Sequence, residues 1–293
     1  EETYRRPFLD RVFRNILSFV LPRPKVFLLM ALSSKLIKPL GFLFPKFIRN
    51  ALNLMPDKIP GKKLKEQKVY EVKKGKKVSR VALLTGCVQR VISPEINEAT
   101  IRLLNRHNVE VVVMPDINCC GSLNHHLGKQ KLAHESFKNN IESWHEEYLK
   151  NGLDAIISNT SGCGTTLKDY GHIFKNDKDL KKKAKKISEL TKDITEYLDE
   201  NLKLNINLNS EKKYRIAYHS ACSMQHGQKV HDQPKDLISK TGNEVLDIPE
   251  GHLCCGSAGT YNILHQKMAK SLLKNKVNNC LLYTSPSPRD RYG

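Results

Sequence analysis

Residues 118–128 read NCCGSLNHHLG, and residues 253–263 read LCCGSAGTYNI. In both stretches two adjacent cysteines precede Gly-Ser, and a further cysteine lies upstream, at Cys87 and Cys222 respectively. The interval from Cys87 to Cys119 is 32 positions, and the interval from Cys222 to Cys254 is also 32 positions. This spacing, kept between two distant parts of one chain, predicts that a single structural unit occurs twice.

Short apolar runs alternate with helical patterns around both cysteine pairs. The first copy is predicted to contain three strands and three helices, over 80–87, 93–107, 109–116, 129–151, 155–163 and 165–174. Ser93 and Pro94 are typical of the N-cap and first position of a helix. The second copy repeats the pattern over 214–222, 233–242, 244–256 and 265–279. Strands that alternate with helices predict an α/β fold with a parallel sheet, the second copy being incomplete.

The predicted organisation has five segments. They are a basic amphipathic helical segment (1–75), a first cysteine-rich unit (76–175), a charged helical linker (176–210), a second, truncated unit (211–279) and a non-native tail (280–293). The tail is expected to break the helical pattern at residue 280. Cys280 lies too close to Cys255 to match the last cysteine of the first unit, which is Cys163.

The amino-terminal segment carries apolar residues at helical spacing, interrupted by prolines and by Lys and Arg. Its longest uncharged run, VFLLMALSS, is too short to cross a bilayer. Two or three basic amphipathic helices are therefore predicted. They would lie on a membrane, bind a partner subunit or pack against the domain that follows.

Composition narrows the functional classes. The chain has 293 residues and a formal net charge of +19, which favours an acidic partner, an anionic membrane surface or simply solvated basic helices. The basic runs lack interleaved aromatic residues, so no nucleic-acid partner is predicted. A chain of this length does not need disulfides to fold, and no secretory signal opens it. The eight cysteines therefore indicate metal or redox chemistry in a reducing compartment.

Seven of the cysteines are candidate metal ligands, since each follows a predicted strand. Parallel strands end at one edge of a sheet, and following helices favour the thiolate form. Adjacent cysteines chelate one tetrahedral ion poorly but can reach different atoms of a larger group, which favours an iron–sulfur cluster over zinc. The alternative is that these are small buried apolar residues. The candidates are Cys87, Cys119, Cys120 and Cys163 in the first unit, and Cys222, Cys254 and Cys255 in the second.

Five histidines lie near the cysteine pairs and are weaker candidates. They would ligate iron or tune it through hydrogen bonds, but such positions are more often polar loop residues. They are His125, His126, His219, His226 and His252.

Five motifs carry a resemblance to a known family: TGCVQR, INCCGSLNHHLG, NTSGCGTTLKDYGH, YHSACSMQHGQ and LCCGSAGTYN. Together they resemble the CCG (cysteine-rich) domains of the iron–sulfur subunit of glycolate oxidase, also called glycolate dehydrogenase, over about 5–279. Heterodisulfide reductase B-type subunits, lactate-utilisation subunits and anaerobic glycerol-3-phosphate dehydrogenase C subunits are more distant relatives.

The resemblance implies an electron-transfer subunit that is not active alone. It would hold a 4Fe-4S type cluster, receive electrons from FAD-containing glycolate oxidase subunits and pass them toward the respiratory chain or quinone pool. The implied location is cytoplasmic, with peripheral contact to the inner face of the cytoplasmic membrane. Two features depart from the family pattern. The ferredoxin-type cysteine runs of the full-length subunit do not occur, and Thr160 replaces the first cysteine of a C-x-x-C pair.

Other functions remain open on the residues alone. One is a zinc-stabilised or metal-free scaffold that docks the flavoprotein subunit. Another is the equivalent subunit of a lactate or glycerol-3-phosphate dehydrogenase. A thiol–disulfide catalyst is disfavoured, because a disulfide between neighbouring residues is strained.

Overall fold

The computed structural model describes residues 6–56, 59–60, 68–73, 75–202 and 213–284. The chain forms two compact units, Glu1–Lys192 and Asp193–Gly293, called here the first and second unit. The boundary differs from the predicted linker over 176–210, because a helix at 181–190 packs into the core of the first unit. Its Ala184 and Ile187 are buried there.

The first unit contains ten helices in its described part. They are α1 (Phe8–Val20), α2 (Pro24–Ile37), a 3-10 helix (Lys38–Leu43), α3 (Lys46–Asn53), α4 (Gln89–Ile92), α5 (Pro94–Arg106), α6 (Ser122–His126), α7 (Gln130–Asn151), α8 (Ser161–Ile173) and α9 (Lys181–Leu190). The strands are β1 (Val69–Tyr70), β2 (Ser79–Leu84), β3 (Val109–Val112), β4 (Ala155–Ser158) and β5 (Thr191–Asp193).

The five strands form one sheet in the order β1-β3-β2-β4-β5. β2 pairs in parallel with both β3 and β4, and Val81 lies opposite Val111 on one side and Ala155 on the other. This confirms the predicted α/β fold with a parallel sheet. Two short edge strands were not predicted: β1, which is antiparallel to β3, and β5.

The core lies where α7 and α8 cover the parallel strands. Residues 81–84 of β2 and all of β4 are buried, as expected for strands with neighbours on both faces, whereas Ser79 and Arg80 at the start of β2 are half-buried. On α7 the side chains of Ala133, Phe137, Ile141 and Trp144 recur at intervals of three or four and pack into this core. α5 begins at Pro94 as predicted. Ser93 makes no side-chain capping bond, because it also ends α4 and its backbone is not in a capping conformation.

One face of the amino-terminal helices packs on the rest of the first unit. Phe27 of α2 and Val20 of α1 meet Val91 of α4 in one apolar cluster. The hydroxyl of Ser18 donates to Oδ1 of Asn124, on α6, at 2.7 Å. The helices are therefore fixed to the domain that follows, close to the loops that carry the cysteines.

The stretch Pro24–Leu43 is 20 residues long and apolar enough to meet the length and composition expected of a membrane span. The sequence had suggested that no run there is long enough. The core helix of a soluble protein and a signal sequence meet the same criterion, so length and composition do not assign this stretch to a membrane.

The second unit repeats half of this design. Its elements are α10 (Ile194–Asn201), β6 (Arg215–Tyr218), a π-helical turn (Ser223–Gln228), α11 (Gln233–Ser239), β7 (Glu244–Asp247), α12 (Tyr261–Leu264) and α13 (Gln266–Thr284). β6 and β7 are parallel. α13 continues through residues 280–284, so the expected break of the helix at residue 280 is wrong. Residues 285–293 of the predicted tail lie outside the described residues.

Candidate metal centre

Three neighbouring strands deliver the four cysteines of the first unit to one place. Cys87 follows β2, Cys119 and Cys120 follow β3, and Cys163 lies in the first turn of α8, after β4. The thiols of Cys87 and Cys120 both hydrogen-bond to Cys119, and Cys120 also hydrogen-bonds to Cys163. The structure thus brings together all four residues that the sequence singled out in this unit.

The Cys119 sulfur is held in its anionic form. Hydrogen bonds from the Cys120 and Cys87 thiols, and from the Gly121 N–H at 3.3 Å, lower the pKa of Cys119 to about 3 against the opposing effect of burial. The same hydrogen bonds raise the pKa of Cys87 and Cys120, since each donates its proton toward Cys119, and burial adds to the rise. The arrangement therefore stabilises the thiolate, the form that binds metals, at Cys119, while Cys87 and Cys120 stay protonated as its donors.

Gly121 shapes the Cys-Cys-Gly turn at 119–121, called here the corner of the first unit. Its φ is +81°, and a Cβ atom there would lie 2.4 Å from the Phe137 ring and 3.2 Å from the Ala133 carbonyl oxygen. Only glycine permits such a close approach of the loop to α7. The corner is therefore fixed by packing as well as by its hydrogen bond to sulfur.

Two buried side chains, Asn140 of α7 and Tyr170 of α8, support the corner through hydrogen bonds, a role that the sequence analysis did not predict. Nδ2 of Asn140 donates to the Cys119 carbonyl at 2.8 Å and to the Tyr170 hydroxyl at 2.9 Å, and that hydroxyl donates to the Cys120 carbonyl at 2.8 Å. Burial, and then the charge near Cys120, raise the pKa of Tyr170, so it remains a donor. Asn140 lies in none of the motifs quoted above, and Tyr170 lies in NTSGCGTTLKDYGH, where nothing local indicates that its hydroxyl supports the cysteine loop.

Thr160 acts as a brace between loops. Its hydroxyl donates to Oε1 of Gln89, whose Nε2 donates to Oδ1 of Asn159 at 2.8 Å and to Oδ1 of Asn97 at 3.1 Å. This network joins the loop after β2 to the loop after β4. Thr160 thus links the two segments that carry Cys87 and Cys163.

The second unit contains the same corner with three cysteines. The Gly256 N–H donates to the Cys254 sulfur at 3.3 Å, and the φ of Gly256 is +82°. A Cβ atom on Gly256 would lie 2.3 Å from the Ala269 carbonyl oxygen. Cys222 contacts Cys254 through its thiol and accepts from the Cys255 N–H, and desolvation is the main reason that the pKa of Cys222 is raised.

The five candidate histidines do not complete a coordination shell in the part of the chain that the structure describes. Nδ1 of His125 and Nδ1 of His219 are buried without hydrogen-bond partners, and a ring nitrogen of His226 lies 3.2 Å from the His252 carbonyl oxygen. Desolvation and then His125 lower the pKa of His126. Over the described ranges, no group of three or more His, Cys, Asp or Glu side chains is arranged to hold a metal ion.

The meeting of four thiols favours a metal site, whereas the lack of a complete coordination shell in the described residues argues against one. The convergence of four cysteines is the stronger observation, because rotation about a single side-chain bond redirects each sulfur while the backbone stays in place. The soft donor set, the glycine corner and the N–H aimed at sulfur fit a group that brings its own bridging atoms better than one tetrahedral ion.

A family comparison agrees with the repeat. Residues 81–168 and 216–283 match the model of the cysteine-rich domain, CCG. The chain belongs to this cysteine-rich domain family. The two matches cover both corners and most of α13, which supports the predicted duplication.

Individual relatives share most of the chain. It is 34% identical over 278 residues to the glycolate oxidase iron-sulfur subunit of Escherichia coli K12, which covers 95% of this chain and 64% of that protein. It is 29% identical over 234 residues to the probable glycolate oxidase iron-sulfur subunit of Bacillus subtilis 168, covering 80% and 52%. Lactate utilization protein A of Anoxybacillus flavithermus is 27% identical over 199 residues, covering 67% and 80%. The chain thus spans less than two thirds of the first two relatives.

Proposed function

We propose that the chain is part of the iron–sulfur, electron-transferring subunit of a glycolate-oxidising flavoenzyme. The observation that carries the proposal is the convergence of Cys87, Cys119, Cys120 and Cys163 at the carboxyl edge of the sheet. The names of two relatives, both iron-sulfur subunits, supply the chemistry.

Each part of the site has a task in this proposal. The four thiolates of the first unit would hold a 4Fe-4S type cluster, and Cys222, Cys254 and Cys255 would hold a second one. Such a cluster supplies one-electron transfer when bound. The Gly121 N–H stabilises negative charge on sulfur, and the Asn140–Tyr170 pair fixes the corner so that little rearrangement is needed.

The names of the relatives support the substrate, and the electron partners are part of the proposal. FAD-containing glycolate oxidase subunits would oxidise the substrate, and electrons would leave toward the respiratory chain or quinone pool, so the chain has no activity by itself. The lactate utilization relatives make a lactate-oxidising complex the alternative. Reduction of the reconstituted chain by purified glycolate oxidase flavoprotein subunits with glycolate, compared with lactate, distinguishes the two.

The central test is anaerobic reconstitution with iron and sulfide. We expect bound iron, acid-labile sulfide and an EPR signal on reduction, with the content lowered by Cys119→Ser and Cys163→Ser but not by Cys280→Ser. Cys280 is a suitable control, because it lies in α13 and outside both Cys-Cys-Gly motifs. Zinc without labile sulfide would contradict the proposal and indicate a metal-stabilised scaffold.

We also propose a cytoplasmic location with peripheral contact to the inner face of the membrane. Phe8 and Phe19 of α1 and Leu29 and Leu36 of α2 are exposed, and residues 6–56 carry a single acidic residue, Asp10, among many basic ones. Basic helices with an exposed apolar face bind anionic lipid. Sedimentation with vesicles containing phosphatidylglycerol should exceed that with phosphatidylcholine alone, and equal binding to both would contradict the proposal.

A further inference from the structure

One charged side chain of the second unit is buried. Lys276 on α13 is only 4% exposed, and its Nζ donates to the backbone carbonyls of Glu250 at 2.9 Å and Gly251 at 3.3 Å. No ion pair joins it to an acidic side chain anywhere in the described residues. Burying a cation that only carbonyl dipoles compensate is unfavourable.

The repeat shows where this cation lies relative to the cysteines. Ala133 and Ala269 are equivalent, since each lies beneath the glycine of its corner. Lys276 follows Ala269 by the same interval that separates Asn140 from Ala133. In the first unit, Asn140 on α7 supports the corner by donating to the Cys119 carbonyl. Lys276 occupies the equivalent position on α13 of the second unit.

The charge of Lys276 reaches both loops that carry the cysteines. It lowers the pKa of His219, after desolvation, and His219 lies three residues before Cys222. It also contributes to lowering the pKa of Glu250, whose main causes are the Asn275 and Asn279 amides. Glu250 lies four residues before Cys254.

Glu250 compensates this cation only in part. Its carboxylate faces solvent and accepts from Nδ2 of Asn275 at 2.9 Å and Nδ2 of Asn279 at 3.2 Å. Water screens such an exposed charge strongly. Cys222, Cys254 and Cys255 lie on the same two loops, so their thiolates are candidates for the rest of the compensating negative charge.

We propose that Lys276 is the counter-charge of an anionic iron–sulfur group on Cys222, Cys254 and Cys255, and that it makes this group easier to reduce. The proposal rests on the function proposed above. A thiolate-bound cluster is anionic, and reduction adds one electron without making or breaking a bond to the protein. A fixed cation stabilises the more negative, reduced form, so the reduction potential rises. The first unit has the neutral Asn140 instead.

The test is an EPR-monitored redox titration of the reconstituted chain, with the second-unit signal identified by its loss in Cys254→Ser. Lys276→Gln keeps hydrogen-bond donors and removes the charge. We expect this variant to lower the equilibrium constant for reduction of the second-unit group about tenfold, which lowers its reduction potential by about 59 mV for one electron. Lys276→Arg should retain the wild-type potential. Lys274→Gln, an exposed position on the same helix, should change it far less. Equal shifts for both glutamine variants would overturn the proposal.

Thermal unfolding provides a second readout that does not depend on potentials. Cluster loading should raise the Tm of the wild-type chain more than that of Lys276→Gln, because the charge is compensated only in the loaded protein. The same rise in both would also overturn the proposal. Iron bound only by the first unit would overturn this inference and leave the proposed function standing. Iron bound by neither unit would overturn the proposed function itself.

Discussion

The two Cys-Cys-Gly corners share a backbone but not their surroundings. In both, a left-handed glycine donates its N–H to the first sulfur at 3.3 Å and lies against an alanine, Ala133 of α7 or Ala269 of α13. Cys119 and Cys120 are buried, whereas Cys254 and Cys255 are half-buried. The first corner rests on the neutral Asn140 and Tyr170, and the second lies near the cation of Lys276.

The shape of the corner and its chemistry depend on different features of the two units. The close packing of glycine on helix is the same in two units that otherwise differ, so it accounts for the shape of the corner. Burial, the number of cysteines and the charge on the supporting helix differ, so these determine how each site would hold a metal group. The largest predicted effect therefore concerns the glycine.

Gly121→Ala should destabilise the first unit by about 3 kcal/mol or more. The new methyl group would overlap the buried Phe137 ring, and φ of +81° is unfavourable for alanine. The free energy of unfolding in urea, followed by the fluorescence of the buried Trp144, measures this loss. Gly256→Ala should also be costly, because a backbone carbonyl blocks its Cβ.

Two other glycines provide matched controls. Gly242 has φ of +81° but open space around its Cβ, so Gly242→Ala reports backbone strain alone, about 1 kcal/mol. Gly162 lies in α8 without either constraint, and Gly162→Ala should be neutral or stabilising. If Gly121→Ala costs no more than Gly242→Ala, close packing does not shape the corner.

The features that the two units share could be predicted from the sequence. Equal cysteine spacing gave the duplication, and apolar runs gave the three parallel strands, β2, β3 and β4. Because parallel strands end at one edge, the meeting of four cysteines followed from their order in the chain.

The features that were missed depend on contacts between distant residues. β1 and β5 are only two and three residues long and have no periodic pattern, so pairing with a neighbour defines them. The charge of KKKAKKISEL suggested a linker, although Ala184 and Ile187 form a buried stripe within it. The role of Asn140 is set by the loop above it, which a single sequence does not reveal.

Tyr170→Phe should have an intermediate effect that distinguishes the two corners. It leaves the buried Cys120 carbonyl without its donor and removes a partner of Asn140, which should cost about 1–2 kcal/mol. The unfolding free energy and the iron content of the first unit should fall together. Tyr148→Phe, at a partly buried position on α7, should change the stability by less than about 0.5 kcal/mol. An equal effect of both variants would show that the hydroxyl does not support the corner.

Thr160→Val should have the smallest effect, about 1 kcal/mol, because it removes one hydrogen bond to Gln89 within a network that keeps its other members. Thr160→Ser retains the hydroxyl and should restore the wild-type stability. Amide hydrogen exchange gives a local measure: the first turn of α8, which carries Cys163, should open more often in the valine variant. Unchanged exchange there would mean that burial, rather than the brace from Thr160, keeps the cysteines of the first unit together.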